Sequence, residues 1–378
     1  MTITFFTNYV HHHQIPLADE MYNRIGDNYK YVAMEKLPDS FVKGGYDPMI
    51  ERSYIIRAYE SEIAMKKAQN LMLESDVVIG IAGPKGYSEK RQDLNKITFN
   101  YSERWIKRSF IHAIDPRVLY RIYKSFFKYR NKRSYMLCAS AFAAKDANLY
   151  FCYPNKCYKW GYFPKVESPL KKKHDDTSEI KIMWCSRFID WKHPELPVKL
   201  AVRLKHDNVN FVIDMYGDGV LHDNIQRLIK TLGVDDVVRL KGNLPNEDIL
   251  QQMRNHEIFL FTSDKGEGWG AVLNESMSQG CAVVASDMIG AAPFLIEDGK
   301  NGLLFKSENV DSLYIQVKRL LDDKVLRTTV SENAIRTMQE VWNPKVAAER
   351  FLHLVDRMLQ NKDTDFVDGP CSKAYPYK

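Results

Sequence analysis

The sequence holds no uninterrupted apolar run approaching the ~18 residues that a membrane-spanning helix requires. Its opening residues, MTITFFTNYV, lack a basic leader and a long apolar core, so they read as a first β-strand rather than a signal peptide. Cysteine is sparse: of six thiols (Cys138, Cys152, Cys157, Cys185, Cys281, Cys371) only Cys152 and Cys157 are close. No second pair or nearby histidine completes a zinc site around them. Scattered thiols without a secretion signal point to a reducing compartment, and a cytoplasmic location is expected. There is no repeat at solenoid periods, and no nucleic-acid-binding module.

What is present is an ordinary globular chain of 378 residues, 45% apolar and 27% charged. That length exceeds what one hydrophobic core usually supports, so two domains are expected. Charge divides them. Residues 1–166 carry 26 Lys+Arg against 16 Asp+Glu, whereas the remainder is slightly acidic, for a net charge of +6. Unequal halves imply different partners for the two.

The second half alternates short apolar runs with helix-like segments. The runs are IKIMWCS (180–186), NFVIDMYG (210–217), VVRLKG (237–242), IFLFTS (258–263) and CAVVAS (281–286). PELPVKLAVRLK (194–205), HDNIQRLIKTLG (222–233) and NEDILQQMRN (246–255) have helical patterning. This rhythm predicts βαβ units around a parallel sheet buried on both faces. The first half repeats it through TITFFTN, YKYVAME, DVVIGIA, KITFNYS and SYMLCAS, with a long helical pattern over 52–73. A polar, proline-containing boundary falls at 164–178, a helical end runs from about 308 to 361 with a break at VWNP (341–344), and residues 362–378 read as a flexible tail.

The most informative stretch is KGEGWGAVLNESMSQGCAVVAS (265–286). It places Glu267 in a glycine-rich loop after a strand, and Glu275 on the helix that follows. A loop carboxylate and a solvated helix glutamate would be the ordinary reading of such a pair. The surrounding pattern, E-G-W-G-x-x-x-x-E-S-M-x-x-G, continues through MIGAAPFLIEDGKNGLLF (288–305). Together these residues resemble the donor-site signature of retaining glycosyltransferases of family 4 (glycosyl transferases group 1).

That resemblance implies an α/β chain of the GT-B fold: two Rossmann-like doubly wound domains with an interdomain cleft and a C-terminal crossover helix. It divides the chain into an acceptor-binding domain (1–166), a donor-binding domain (167–343) and a helix (344–361) that packs back on the first domain. It makes Glu275 the ligand of the donor's ribose hydroxyls and Glu267 the sugar-facing carboxylate, with Gly266, Gly268, Trp269 and Gly270 forming the loop. In WCSRFIDWKHPE (184–195), Arg187 and Lys192 match the family's R-x-x-x-x-K grip on the donor diphosphate, with Trp191 an unusual aromatic between them. Gly217 and Asp218 in MYGDG, and Asn243 and Leu244 in KGNLP, resemble base-binding loops.

No D-x-D element stands near a strand end, which fits catalysis without a metal or other cofactor. The expected donor is a UDP- or GDP-type sugar nucleotide, and the acceptor a saccharide or lipid-linked saccharide of surface polysaccharide or glycolipid assembly. Two other classes stay open: a GT-B phosphorylase or epimerase, and a non-catalytic binding subunit of the same fold.

The first domain matches less closely. TNYVHHHQIPLADEMY (7–22) has histidines where the family often has glycines. His12 and His13 are expected to make polar contacts to donor or acceptor. Metal binding by His11, His12 and His13 is disfavoured, because consecutive histidines rarely point at one ion. Ser102 and Glu103 stand where the family commonly carries a histidine near the transferred sugar, although Ser102 could equally cap a helix. Residues 104–135 hold ten Lys/Arg, one acid (Asp115) and eight aromatics. That composition suits either a helical hairpin with cations in water or, over 104–133, a peripheral contact with an anionic membrane surface. Nucleic acid is not expected as a partner.

Overall fold

The computed structural model describes residues 1–39, 50–107, 113–166 and 179–377. The chain forms two compact units: Met1–Lys165 together with Asn343–Lys378, and Val166–Trp342.

The first unit is built on β1 (Ile3–Thr7), β2 (Tyr29–Ala33), β3 (Ile55–Arg57), β4 (Val77–Gly80), β5 (Ile97–Ser102), β6 (Ser134–Cys138) and β7 (Cys157–Lys159). Among the described residues they form one parallel sheet in the order β3-β2-β1-β4-β5-β6-β7. The second unit holds β8 (Ile180–Cys185), β9 (Phe211–Tyr216), β10 (Val238–Gly242), β11 (Ile258–Phe261), β12 (Ala282–Ser286) and β13 (Leu303–Phe305). Its sheet is also parallel, in the order β10-β9-β8-β11-β12-β13.

The apolar runs are continuous because helices cover both faces of each sheet, and every residue of β1, β9, β11 and β12 is buried. Both sheets reverse their winding at one pair of strands, β1/β4 in the first and β8/β11 in the second. The loops leaving the carboxyl ends of such a pair diverge and open a crevice. This sets side by side the loops that follow β8 and β11, which contain Arg187, Lys192 and Glu267.

Several local expectations are corrected. The helical pattern of 52–73 contains β3, and its helix starts only at Glu62, where the Ser61 hydroxyl accepts the Ala64 N–H at 3.1 Å. Apolar Ile55 and Ile56 fit helical spacing equally well, but pairing with β2 decides their conformation. The expected flexible tail is instead built into the first unit. Lys159 and Ser372, Cys371 and Lys159, and Ala374 and Cys157 make backbone hydrogen bonds of 2.8–3.0 Å that extend the sheet beyond β7. Cys371 and Ser372 are fully buried.

Helix Pro344–Leu359 belongs to this same unit. Arg24 reaches its Glu349 at 3.4 Å, and Phe351 packs edge-on against Phe99.

The basic stretch 104–133 lies outside the described residues at 108–112; elsewhere it gives helix Pro116–Ser125 and a short 3₁₀ turn at Phe127–Tyr129. Its aromatics divide. Trp105 stacks on Phe126 at 4.8 Å and Tyr129 is buried, whereas Tyr120 and Tyr123 are more than half exposed. No described helix is long and apolar enough to cross a membrane.

Candidate active site

In the second unit the chain leaves β8 through Ser186–Ile189, makes a 3₁₀ turn over Asp190–Lys192 and enters helix Glu195–His206. It leaves β11 through Thr262–Gly270 and enters helix Ala271–Ser278. Four interactions join these loops. The Thr262 hydroxyl donates to the Lys192 carbonyl at 2.6 Å and accepts the Trp184 indole N–H at 2.8 Å. The Asp264 N–H donates to the Trp191 carbonyl at 3.0 Å. His193 bridges Glu195 at 3.1 Å and Asp264 at 3.3 Å. Finally, the Lys192 ammonium forms an ion pair with the Glu267 carboxylate, both side chains being largely shielded from water.

Sequence reasoning named Lys192 and Glu267 but not their pairing, and it did not single out Thr262, His193 or Asp264. The bonds from His193 to Glu195 and then Asp264 raise the imidazole above its ordinary pKa against the opposing effect of burial. Its two ring nitrogens face the two carboxylates and tie the junction together.

The glycine loop is shaped by close approach. A Cβ on Gly270 would stand 2.6 Å from the Phe261 ring, and its φ of +90° is costly for any other residue. Trp269 is fully buried, with its indole N–H donating to Asn274 at 2.8 Å, so it holds the loop rather than facing solvent. Gly266 passes under Trp191, where a Cβ would meet the indole Cβ at 2.9 Å. Trp191 itself is 41% exposed, and Arg187, also exposed, holds its guanidinium 6.0 Å from that ring.

Glu275 is buried on helix Ala271–Ser278. Burial pushes its carboxyl up to about 7, opposed by a hydrogen bond from Asn246. Cys185, the last residue of β8, is pushed up to about 12, first by burial and then by the Glu275 charge, while Lys192 pulls the other way. Cys185, Glu275 and Lys192 therefore share one local field.

Beside these groups, the loops after β9 and β10 line an open cavity of about 520 Å³ that includes Gly217, Asp218, His222, Gly242 and Asn243. Gly217 is required there: its φ is +125°, and a Cβ would lie 1.9 Å from the Ser186 carbonyl oxygen. Leu244 is exposed and lies outside the lining residues.

In the first unit the sequence-derived residues also converge. His11, His12 and His13 occupy the turn after β1, closed by the Gln14 N–H donating to the His11 carbonyl at 2.9 Å. His11 and His13 each stack on Tyr162, with ring centroids 6.2 and 6.3 Å away. The Tyr162 hydroxyl donates to Glu103 at 2.9 Å, and Glu103 also pairs with Lys107 at 2.6 Å. Ser102 accepts the Trp105 indole N–H at 2.9 Å and donates to the Glu103 carbonyl at 2.9 Å, so its hydroxyl closes a local turn and caps no helix. Tyr162 had not been singled out; no spacing rule marks it.

Comparison with known proteins follows the same division. The family model described as glycosyl transferases group 1 matches residues 167–337. An uncharacterized glycosyltransferase of Methanocaldococcus jannaschii is 27% identical over 203 residues, 52% of this chain and 50% of the relative. The N-acetylgalactosamine-N,N'-diacetylbacillosaminyl-diphospho-undecaprenol 4-alpha-N-acetylgalactosaminyltransferase of Campylobacter jejuni is 32% identical over 174 residues, 46% of each chain. The chain thus spans about half the length of these relatives. Among solved structures, Anabaena HepE in complex with UDP superposes with a TM-score of 0.70 at 15% identity, covering 94% of this chain and all of that one. The likeness shows the GT-B fold.

Burial of Glu275 has a pH signature. Its folded pKa lies above the ordinary carboxylate value of ~4.3, so the native state binds the extra proton between that value and about 7. Stability from this group is fully present below pH ~4.3 and is lost as pH rises through about 7. Glu275→Gln, which cannot ionise, should match wild type in Tm near pH 4 and exceed it by several degrees at pH 8 in the absence of ligand. A Tm difference that does not grow with pH would place this carboxyl in a polar, solvated setting.

Proposed function

We propose that the chain, which matches the glycosyl transferases group 1 over residues 167–337, transfers a sugar from a nucleoside diphosphate sugar to a hydroxyl acceptor with retention of configuration. The observation that carries this reading is the grouping of Arg187, Lys192, Glu267 and Glu275 at the carboxyl ends of β8 and β11, beside the cavity of Gly217 and Asn243. The donor's base and ribose take that cavity and Glu275, whose carboxylate can accept two hydroxyl protons. The diphosphate lies against Arg187 and Lys192, and the sugar reaches Glu267 and the Gly266–Gly270 loop.

Without donor, Lys192 and Glu267 neutralise each other. Donor entry exchanges that partner: the ammonium turns to the diphosphate, and the carboxylate accepts the sugar's hydroxyls. As the bond from the anomeric carbon to phosphate oxygen breaks, charge grows on the leaving diphosphate. Two fixed cations stabilise that charge more than they stabilise the ground state. The acceptor oxygen bonds to the same face of the anomeric carbon, and its proton passes to the leaving phosphate oxygen. The nucleoside diphosphate then departs, and no further base is required.

The donor is of the UDP or GDP type; the complex of the structurally similar HepE with UDP supports the first. The acceptor is a saccharide or lipid-linked saccharide of surface glycan assembly, as the name of the Campylobacter relative suggests. His12, His13, Ser102 and Glu103, of which His13 and Glu103 contact Tyr162, are the acceptor-side groups of the first unit. Its exposed Tyr120 and Tyr123, interleaved with Arg117, Arg121 and Lys124, form the face that would meet an anionic bilayer from the cytoplasmic side.

Arg187→Ala should lower turnover by ~10²–10³ with the fold intact, and wild-type turnover should persist in excess EDTA. Near wild-type turnover in the variant would misplace the diphosphate, and loss in EDTA reversed by a divalent ion would make the transfer metal-dependent. The membrane face has a separate readout in vesicle co-sedimentation. Wild type should bind anionic vesicles at low salt and release at high salt, since screening acts over about 10 Å at 0.1 M. Charge reversal at Arg117, Arg121 and Lys124 should abolish binding while leaving donor affinity unchanged. Wild type remaining in the supernatant at low salt would make this helix an ordinary solvated one.

A further inference from the structure

We propose that His11, His12 and His13 form a binding site for one divalent transition-metal ion of the zinc class on the turn that follows β1. The sequence argues against it, since consecutive side chains of an extended segment point to opposite sides. The turn removes that objection. The hydrogen bond from the Gln14 N–H to the His11 carbonyl curls the three residues so that one nitrogen from each ring lies within 4.8 Å of the others. Nitrogens bound to one tetrahedral zinc stand roughly 3.4 Å apart.

The turn is well anchored for such a role. Gln14 accepts the Tyr31 hydroxyl at 2.6 Å in the core, and its carbonyl accepts the Ala18 N–H at 3.0 Å, fixing the start of helix Ile15–Ile25. The imidazoles pack on one another, His12 on His13 at 3.8 Å and His11 on both at 5.1–5.2 Å. Tyr9 and Tyr162 form the walls.

Ligand chemistry selects the class of ion. Three half-buried imidazoles on one turn suit a borderline metal ion. Glu35 and Glu103 both bear electrostatically on Tyr9, which stacks on His11, so the surroundings carry negative charge that favours a cation. The other described trio within reach of one ion is His193, Asp264 and Glu308. It is the weaker ligand set, because both ring nitrogens of His193 are already hydrogen-bonded, to Glu195 and to Asp264. Three imidazoles leave the fourth position of a tetrahedral ion open to water or a carboxylate. The inference does not rest on the transferase reading, whose cations lie in the other unit, but it gives His12 and His13 to a metal ion in place of the direct acceptor contact proposed above.

The test uses tag-free full-length protein stripped with chelator, titrated calorimetrically with Zn²⁺ and separately with Mg²⁺. Wild type should bind one Zn²⁺ per chain with micromolar or tighter affinity and should not bind Mg²⁺. His12→Gln/His13→Gln should weaken Zn²⁺ binding beyond the roughly 10- to 100-fold that loss of even an outer-shell partner costs, with the circular dichroism of the metal-free protein unchanged. A Co²⁺ spectrum of wild type supplies a readout that needs no variant: tetrahedral visible bands without a thiolate charge-transfer band. Absence of stoichiometric Zn²⁺ binding, undiminished binding by the double variant, or a thiolate band on Co²⁺ would each overturn the proposal.

Discussion

The functional half of this molecule depends on one junction, the side-by-side fixing of the loops that leave β8 and β11. The parallel sheet brings their starting points together, with Leu260 paired to Trp184. The Thr262 hydroxyl then serves as a buried pivot, accepting from Trp184 and donating to the Lys192 carbonyl. Asp264 holds the outer part of the junction through the Trp191 carbonyl and His193. Lys192 and Glu267 are consequently set in place by backbone and buried hydroxyl contacts before any ligand arrives. Charges held close to their working positions need little reorganisation to stabilise a transition state, which is what the proposed transfer asks of Lys192.

The same junction explains why the charged groups tolerate their surroundings. A shielded ammonium without a partner is costly, and so is a shielded carboxylate. Pairing Lys192 with Glu267 offsets both costs, and in the proposed reaction a diphosphate and a sugar would replace each member's partner. Glu275 meets its own burial differently, by holding its proton to about pH 7 and taking a hydrogen bond from Asn246. Two carboxyl groups eight residues apart thus have different environments, one paired with a cation and one near-neutral.

Much of this second unit was legible in the sequence. Its strands are continuous apolar runs because both faces are covered, and its glycines stand where backbone or ring would meet a Cβ. The role of Thr262 was not legible, since a threonine after a strand has no distinctive pattern; only the approach of Trp184 and Lys192 reveals it. The first unit was harder to read. Strands of three residues, such as β3 and β7, are too short for a period to declare itself, and residues 371–374 pair with β7 despite a polar, proline-containing context. The convergence of the three histidines depends on one backbone hydrogen bond of the turn, which a rule about alternating side chains does not anticipate. Long, doubly covered strands advertise themselves in sequence, whereas edges and turns are decided by tertiary pairing.

The central claim is that the Lys192–Glu267 pair is the closed form of a donor site. A crystal structure of the complex with a non-hydrolysable UDP-sugar tests it most directly. The account predicts ribose hydroxyls on Glu275, the diphosphate between Arg187 and Lys192, and Glu267 separated from Lys192 and bonded to the sugar. A nucleotide bound elsewhere, or one bound while Lys192 stays on Glu267, would contradict it.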